Sequence, residues 1–476
     1  MEKKRFILSA VVALALGRGN CSADAYTTLQ EAIIDDTLPN VERTYTLTGD
    51  ESYTSALGNM GGDNSTLTVE GSGYGVTSSG LVGINAVNAG QTLNLKNIGS
   101  ATKNADGTYT VNKSLNNFAN TTVLVDGGTL NVDKSVFSGV QNGVIQANAN
   151  SNLNISNTIF SGVTSTSTGD YGSALVKNAG TMSIDKSAFV GNNVTENVTY
   201  RIGGMVKNTG HITQITNSDF NYNNISGFSP INIWGGIIHN SEEATIDLIQ
   251  NNNFVGNRVY SNYKAPHGGV MVNHGNIGTI DNTIFENNEM TSAPDQFGGA
   301  HGVAIDNNDG GRIDKITNSI FRNNKVYRTG TATTSSNYHA SGGAIDNYNY
   351  IGEISNTIFE GNSAESVAST VTGGAIMNLK SNDTTAIGYI GKIENVQFIN
   401  NHVYSQNNTA AGGAISNNGT IGIINGNFKE NYAKASCDNA RYMGGYGGAI
   451  YNYEGKISKI IGNFENIMHR TQEYQV

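Results

Sequence analysis

Two cysteines, four prolines and one tryptophan are spread over 476 residues, so several common devices for holding a chain together are scarce here. Cys21 falls inside an apolar N-terminal stretch, which leaves Cys437 alone once that stretch is removed. No internal disulfide can then form, and stability has to come from packing. Charge is scarce as well: 14% of residues are charged, with 28 basic against 38 acidic side chains and a net charge of -10. Without clustered Lys and Arg the counterion-release term of nucleic-acid binding is missing, which excludes a phosphate-backbone partner. The Gly pairs open no helix, so no phosphate-cradling loop is present either. The low charge does not indicate a disordered chain, because the pattern is too regular for one.

What the chain has in quantity is glycine, 59 residues, arranged in a two-part repeat. One part is Phe-x-x-Asn, at Phe189/Asn192, Phe220/Asn223, Phe254/Asn257, Phe285/Asn288, Phe321/Asn324, Phe359/Asn362, Phe398/Asn401 and Phe428/Asn431. The other is Gly-Gly-Ala-Ile, opening at Gly342-Gly343, Gly373-Gly374, Gly412-Gly413 and Gly447-Gly448. Looser forms open at Gly203, Gly235, Gly268 and Gly302. An Asn closes each one, from Asn208 to Asn452. A period of roughly 30 to 40 residues marks a solenoid in which each unit buries its apolar face only against its neighbours.

The apolar spacing inside one unit chooses the kind of solenoid. In GGAIDNYNYIGEISNTIFEGN, residues 342–362, the apolar positions Ala344, Ile351, Ile354, Ile358 and Phe359 alternate with Gly, Asn, Ser, Thr and acids. Gly inside a helix costs about 1 kcal/mol relative to Ala, which argues against paired helices. β-branched residues at near-alternate positions, punctuated by Gly and Asn, predict short strands joined by turns. The expected fold is all-β, a right-handed single-stranded parallel β-helix. Its Gly-Gly corner turns tightly, Ile and Phe fill the lumen, and a recurring Asn takes a left-handed turn while bonding its copies in adjacent coils. The unbroken repeat predicts one body rather than several compact domains.

Both ends carry further signals. Lys3, Lys4 and Arg5 precede an apolar run from Phe6 to Leu16, and Ala23-Asp24-Ala25 offers small residues for cleavage before Tyr26. Residues 1–25 therefore read as a secretory signal peptide, too short for the about 20 apolar residues of a membrane span. Thr28-Leu-Gln-Glu31 has the form of a capping box and predicts a short helix covering the first coil. Strand-like stretches at Arg43 to Thr48, Ser65 to Val69, Gln91 to Leu95 and Thr121 to Val132 make residues 26–136 the cap and early irregular rungs. Residues 137–467 are the repetitive part, beginning with FSGV at Phe137 and Phe160.

Between each Phe-x-x-Asn and the next Gly-Gly lies an insertion of varying length, such as KVYRTGTATTSSNYHAS (325–341) or YAKASCDNARYMGGY (432–446). Entering at the same place in every coil, these emerge along one edge. Tyr260, Tyr263, Tyr327, Tyr338, Tyr404, Tyr442 and Tyr446 lie in them and are the candidate binding residues, since Tyr joins contact area to a polar tip at low ordering cost. Loops on a rigid scaffold often carry function.

The alternation of Gly412-Gly413-Ala414-Ile415 with Phe428-Lys429-Glu430-Asn431, and of their copies over about residues 137 to 467, resembles the repeats of the polymorphic outer-membrane proteins, which are autotransporter adhesins. The resemblance implies a β-helical passenger displayed at the cell surface or released, contacting a host-cell or matrix protein or a glycan through its loops. It implies structural motif residues and no catalytic or cofactor site. In that family a C-terminal β-barrel anchors and exports the passenger. Here Phe464-Glu-Asn-Ile467 replaces the expected Asn by Ile, and residues 468–476 form an abrupt tail without the alternating strands of a barrel. Truncation is the expected explanation, and a chain ending at 476 would reach only the periplasm.

Two rival classes share the coil: a purely structural surface spacer, and a polysaccharide-active enzyme of the pectin-lyase-like type. The enzyme needs converging carboxylates. Asp306 and Asp346 occupy equivalent repeat positions, but other units place Lys207, His239, Val272, Met377, Ser416 and Tyr451 there, so the position reads as exposed and tolerant. Asp35-Asp36 belongs to the cap. Asn273-His274-Gly275 and Arg312-Ile-Asp-Lys315 lie on the repeat framework. His267, His274 and His301 lack metal-ligand spacing and read as scattered surface histidines. Trp234 reads as a ring over a Gly corner. Neither enzyme nor cofactor is expected.

Overall fold

The computed structural model describes residues 26–471 except 38, 79–82, 117–120, 142, 168–173, 197–203, 228–232, 262–265, 293–298, 331–338, 381–386 and 437–443. The expected signal peptide, Cys437, and the last residues of the tail lie outside the described residues. The chain divides into two units, one comprising the N-terminal part to Thr164 with Val176–Ser187, the other Ser165–Leu175 with Ala188 onwards.

In the first unit the predicted helix exists as α1, Leu29–Ile34. Thr28 Oγ1 accepts the Glu31 amide at 3.2 Å, while the Glu31 carboxylate reaches back to the amide and hydroxyl of Thr27 at 2.9 and 2.7 Å. The box is therefore closed one residue earlier than its motif implies. Leu29, Ala32 and Ile33 are buried against the first coil, and Gln30 and Leu29 donate to Ala56 O and Tyr53 Oη. Below the helix, Thr66–Glu70, Thr92–Lys96, Thr129–Asp133, Asn152–Ser156 and Thr181–Asp185 stack in parallel register. Their alternation sends Leu67, Leu93, Leu130, Leu153 and Met182 inwards as one column. The stretch Thr121 to Val132 is not one strand but two, Val123–Asp126 and Thr129–Asp133, separated by Gly127 at φ +84°. An antiparallel hairpin, Ser100–Lys103 with Tyr109–Lys113, leaves the coil path; its exposed residues carry no repeat signal.

The second unit is a parallel β-helix whose coils are built alike. A representative coil runs through β1 Ile305–Asn307, β2 Arg312–Thr317, β3 Ile320–Arg322, β4 Lys325–Arg328 and β5 His339–Ser341. Each strand pairs in parallel with its counterpart one coil on, for example Ile305–Ile345, Ile313–Ile351, Phe321–Phe359, Val326–Ala364 and Ala340–Val371. The Phe residues from Phe189 to Phe464 form one stacked column, for instance 4.8 Å between the rings of Phe321 and Phe359 and 5.1 Å between Phe359 and Phe398. Stacking at the strand spacing of about 4.8 Å suits offset aromatic rings.

Two Asn columns close the hydrogen-bond accounts of the corners. Asn288, Asn324, Asn362 and Asn401 pass a bond from Nδ2 to the next Oδ1 at 2.9 Å in each step, and each also donates to a Phe carbonyl, as Asn362 does to Phe321 O at 2.8 Å. Asn307, Asn347 and Asn378 repeat the scheme beside β1 at 2.7 and 2.8 Å. These motif Asn residues are not the left-handed ones. Positive φ belongs to a different, exposed column that includes Asn251, Asn282 and Asn318. A short exposed amide tolerates that conformation, whereas the buried amide has to serve the ladder. At the corner, Gly342 has φ +60°, and a Cβ on Gly343 would stand 2.1 Å from Gly374 O. One glycine supplies the conformation and the next the clearance.

Candidate functional site

The tyrosines expected in loops divide into groups. Tyr263, Tyr338 and Tyr442 lie outside the described residues. Tyr446 sits on the short strand Gly445–Tyr446, exposed, with its ring 5.9 Å from Tyr451. Tyr260, Tyr327 and Tyr404 are not in loops at all. They occupy β4 and its counterparts Arg258–Ser261 and His402–Ser405. The strand starts immediately after the Phe-x-x-Asn motif, so the head of each insertion is scaffold.

Register then aligns them. Tyr260 pairs with Thr291, Thr291 with Tyr327, Tyr327 with Glu365, Glu365 with Tyr404 and Tyr404 with Lys434. Because side chains alternate along a strand, Val259, Val326 and Val403 face the core while the tyrosines face out, Tyr260 exposed and Tyr327 and Tyr404 half-buried. A Tyr thus recurs on every second coil, about 9.6 Å apart at the usual strand spacing. The neighbouring outward column reads Arg258, Glu289, Lys325, Ser363, His402 and Tyr432.

Within this strip the charges pair across coils. Lys325 Nζ lies 2.7 Å from Glu365 Oε2, His402 Nε2 3.5 Å from Glu365 Oε1, and Arg258 Nε 3.9 Å from Glu289. Partial burial would raise the Glu365 carboxyl, but the His402 and Lys325 contacts outweigh it and hold the pKa down to about 2. Lys325 Nζ stands 5.0 Å from the centre of the Tyr327 ring and Lys434 Nζ 5.4 Å from that of Tyr404, while His402 stacks on Tyr432 at 4.6 Å. The rings are held in place by cationic neighbours. The arrangement is a fixed row of aromatic faces interleaved with neutralised charge, suited to contact rather than proton transfer. Lys325, Glu365, His402 and Tyr432 were not singled out from sequence, although alternation directly after each Phe-x-x-Asn marks them as outward positions.

The carboxylates weighed for catalysis are placed differently from the expectation. Asp306 and Asp346 are fully buried, and His239, Met377 and Ser416 at the same repeat position are buried too. At Asp306 and Asp346 the position is covered, not exposed and tolerant, because His267, His301 and Ser341 of the β5 column bond the two carboxylates. Nor are the histidines scattered over the surface. His267 and His301 are buried, stack at 4.9 Å and bond Asp306 and Asp346; His274 is buried beside His239. This cover is not legible in the sequence, since β5 follows an insertion of variable length. Asn273 belongs to the β1 ladder, and Arg312 lies over Tyr350 at 4.0 Å and pairs with Asp314 at 2.7 Å. Asp35 is engaged by Tyr26, Thr37 and Arg43 beside α1. The backbone of Trp234 pairs with that of His267. Among the described residues no group of three His, Cys, Asp or Glu side chains is disposed to hold a metal ion.

No family model, curated protein or solved structure matches this chain.

Proposed function

We propose that this chain is an exported, surface-displayed passenger of autotransporter type, an adhesin-like protein that engages a host-cell or matrix partner through the outward face of the β4 column. The observation that carries the reading is the alignment of Tyr260, Tyr327 and Tyr404 on alternate coils of one strand column. Aromatic rings repeated on a rigid support offer several contacts at once with little ordering cost. The likeness of the Gly-Gly-Ala-Ile and Phe-x-x-Asn repeats to polymorphic outer-membrane proteins supports the same reading, as does the secretory pattern of residues 1–25.

The test replaces Tyr260, Tyr327 and Tyr404 together by Thr, a residue already present between them at Thr291. Adhesion of beads coated with the mature protein to cultured cells and to extracellular matrix should fall severalfold while circular dichroism is unchanged. Equal adhesion by the variant would leave the coil as a structural spacer or move binding to the insertions. Surface placement is tested separately, by antibody labelling of intact cells expressing the gene with its native downstream sequence.

A further inference from the structure

Four titratable side chains away from the tyrosine strip form a group of their own where the β5 column meets the β1 column. His267 Nδ1 lies 3.2 Å from Asp306 Oδ2, and His301 Nδ1 lies 3.1 Å from Asp346 Oδ2. The histidine side chains are 11% and 10% exposed and the aspartates not at all. Like sits beside like in both columns: the imidazoles stack at 4.9 Å, and Asp306 is the register partner of Asp346. Around them, Ser341 donates to Asp346 at 2.6 Å, Asn308 donates to Asp306 at 3.2 Å, and Tyr348 Oη is 3.2 Å from His301 Nδ1. Asp306 Oδ1 and Asp346 Oδ1 are buried without a hydrogen-bond partner.

Two carboxyls and two imidazoles are electrically neutral as a set only when the four hold two protons. Any other count puts net charge into a site that solvent barely reaches, at a heavy desolvation penalty. Opened to water, Asp306 returns to the ordinary carboxyl value of 3.8 and His267 and His301 to the imidazole value of 6.5, and above pH 6.5 they hold almost no protons. We propose that His267, His301, Asp306 and Asp346 form a proton-operated latch that fastens the β5 strands across β1 more firmly in mild acid and releases them as the medium turns alkaline. The strands it fastens follow the variable insertions along the chain.

The surroundings place the two protons. Burial, and then the Asp346 charge, push the Asp306 carboxyl well above its usual range. Burial lowers His301, but the Asp346 hydrogen bond and charge outweigh it, so its imidazolium is favoured. Burial and the neighbouring His301 hold His267 well below its usual value. One pair is therefore ionised and the other neutral, as stacking like on like requires. Among the described residues, the other titratable groups nearby are Tyr348, which burial keeps as the neutral phenol, Asp309, His274 with Nδ1 3.4 Å from Asp309 O, His239 tilted against His274 at 5.7 Å, and His339 at the start of β5.

The sign follows from counting protons in each state. Above pH 6.5 the raised groups, Asp306 and His301, lose their protons on opening, so opening becomes easier by up to about a hundredfold per pH unit for two protons. Between the two ordinary values His267 gains on opening the proton that Asp306 loses, and opening is flat. Hydrogen exchange of the whole protein, scaled to intrinsic rates from about pH 5.5 to about pH 8.5, reads this directly. Peptides covering 266–273 and 300–307 should lose protection steeply above about pH 6.5, while one covering β2 stays level. D306N replaces the neutral acid by a neutral amide and should halve the logarithmic slope, to about tenfold per unit. A flat profile for the unmodified protein, or an unchanged slope in D306N, would overturn the latch. The unmodified profile decides even if the variant fails to fold.

Discussion

Asn324 gives both its backbone N–H and its side-chain amide to a single oxygen, Oδ1 of Asn362, at 3.1 and 2.9 Å. Asn362 in turn spends its own amide on Phe321 O and on Asn401 Oδ1, at 2.8 and 2.9 Å. Every polar atom in the link is used, which is how a buried amide column becomes a support. Replacing Asn362 by Ala strands two donors on Asn324 and removes the side-chain bond to Phe321 O. At about 1–3 kcal/mol for each orphaned buried group, the loss is several kcal/mol. Hydrogen exchange in peptides of the flanking coils should show it, and Asn362→Asp should not rescue it, because a carboxylate cannot donate to Phe321 O.

The corner glycines make a sharper contrast. Gly343→Ala brings a methyl to 2.1 Å from Gly374 O and 2.7 Å from the Ser363 backbone, with no flexible side chain to yield. The variant is expected to accumulate as insoluble protein or to melt far earlier. Gly49→Ala, where nothing lies within 4 Å and φ is unexceptional, should stay within about 0.5 kcal/mol of the parent.

Phe359 stacks between Phe321 and Phe398 and is fully buried. Truncation to Ala should cost about 3–5 kcal/mol, the usual loss for an aromatic removed from a packed interior. Leu at the same place keeps much of the volume and loses the ring contacts on both sides, so thermal melting should rank Phe above Leu above Ala. A variant with Leu as low as Ala would show that ring stacking, not filled volume, dominates the column.

Glu365 couples two coils of the strip to pH. Its carboxyl is depressed from 4.5 to about 2 in the folded protein, so its contribution is complete above 4.5 and disappears as pH falls through about 2. Glu365→Gln should lower the melting temperature at neutral pH and leave the difference from the parent shrinking over that acid window. Identical melting at pH 7 would mean that the Lys325 and His402 contacts exert no net stabilisation.

The parallel β-helix was legible because its requirements are local and repeated. Phe359 follows Phe321 and Gly343 precedes Ala344 in the same order each turn, and a short strand, a tight corner and a lumen side chain are properties of neighbouring residues. The cap helix was legible for the same reason: Thr28 and Glu31 are close in the chain. The motif Asn does not carry the positive φ expected of it, since Asn324 and Asn318 look alike in sequence and differ only in which one the coil buries.

Placement across coils needed the tertiary structure. Tyr260, Tyr327 and Tyr404 stand at unequal distances along the chain, and only strand register puts them in one row. Asp306 and His267 belong to different coils, and nothing local says that β5 will fold back over β1 and shut both from water. By itself the sequence determined the repeating coil, its glycine corners and its aromatic and amide columns, because those follow from short-range sterics and hydrogen bonding. The tertiary structure decided which polar residues became an exposed strip and which a sealed cluster, because burial depends on what a later stretch of chain covers.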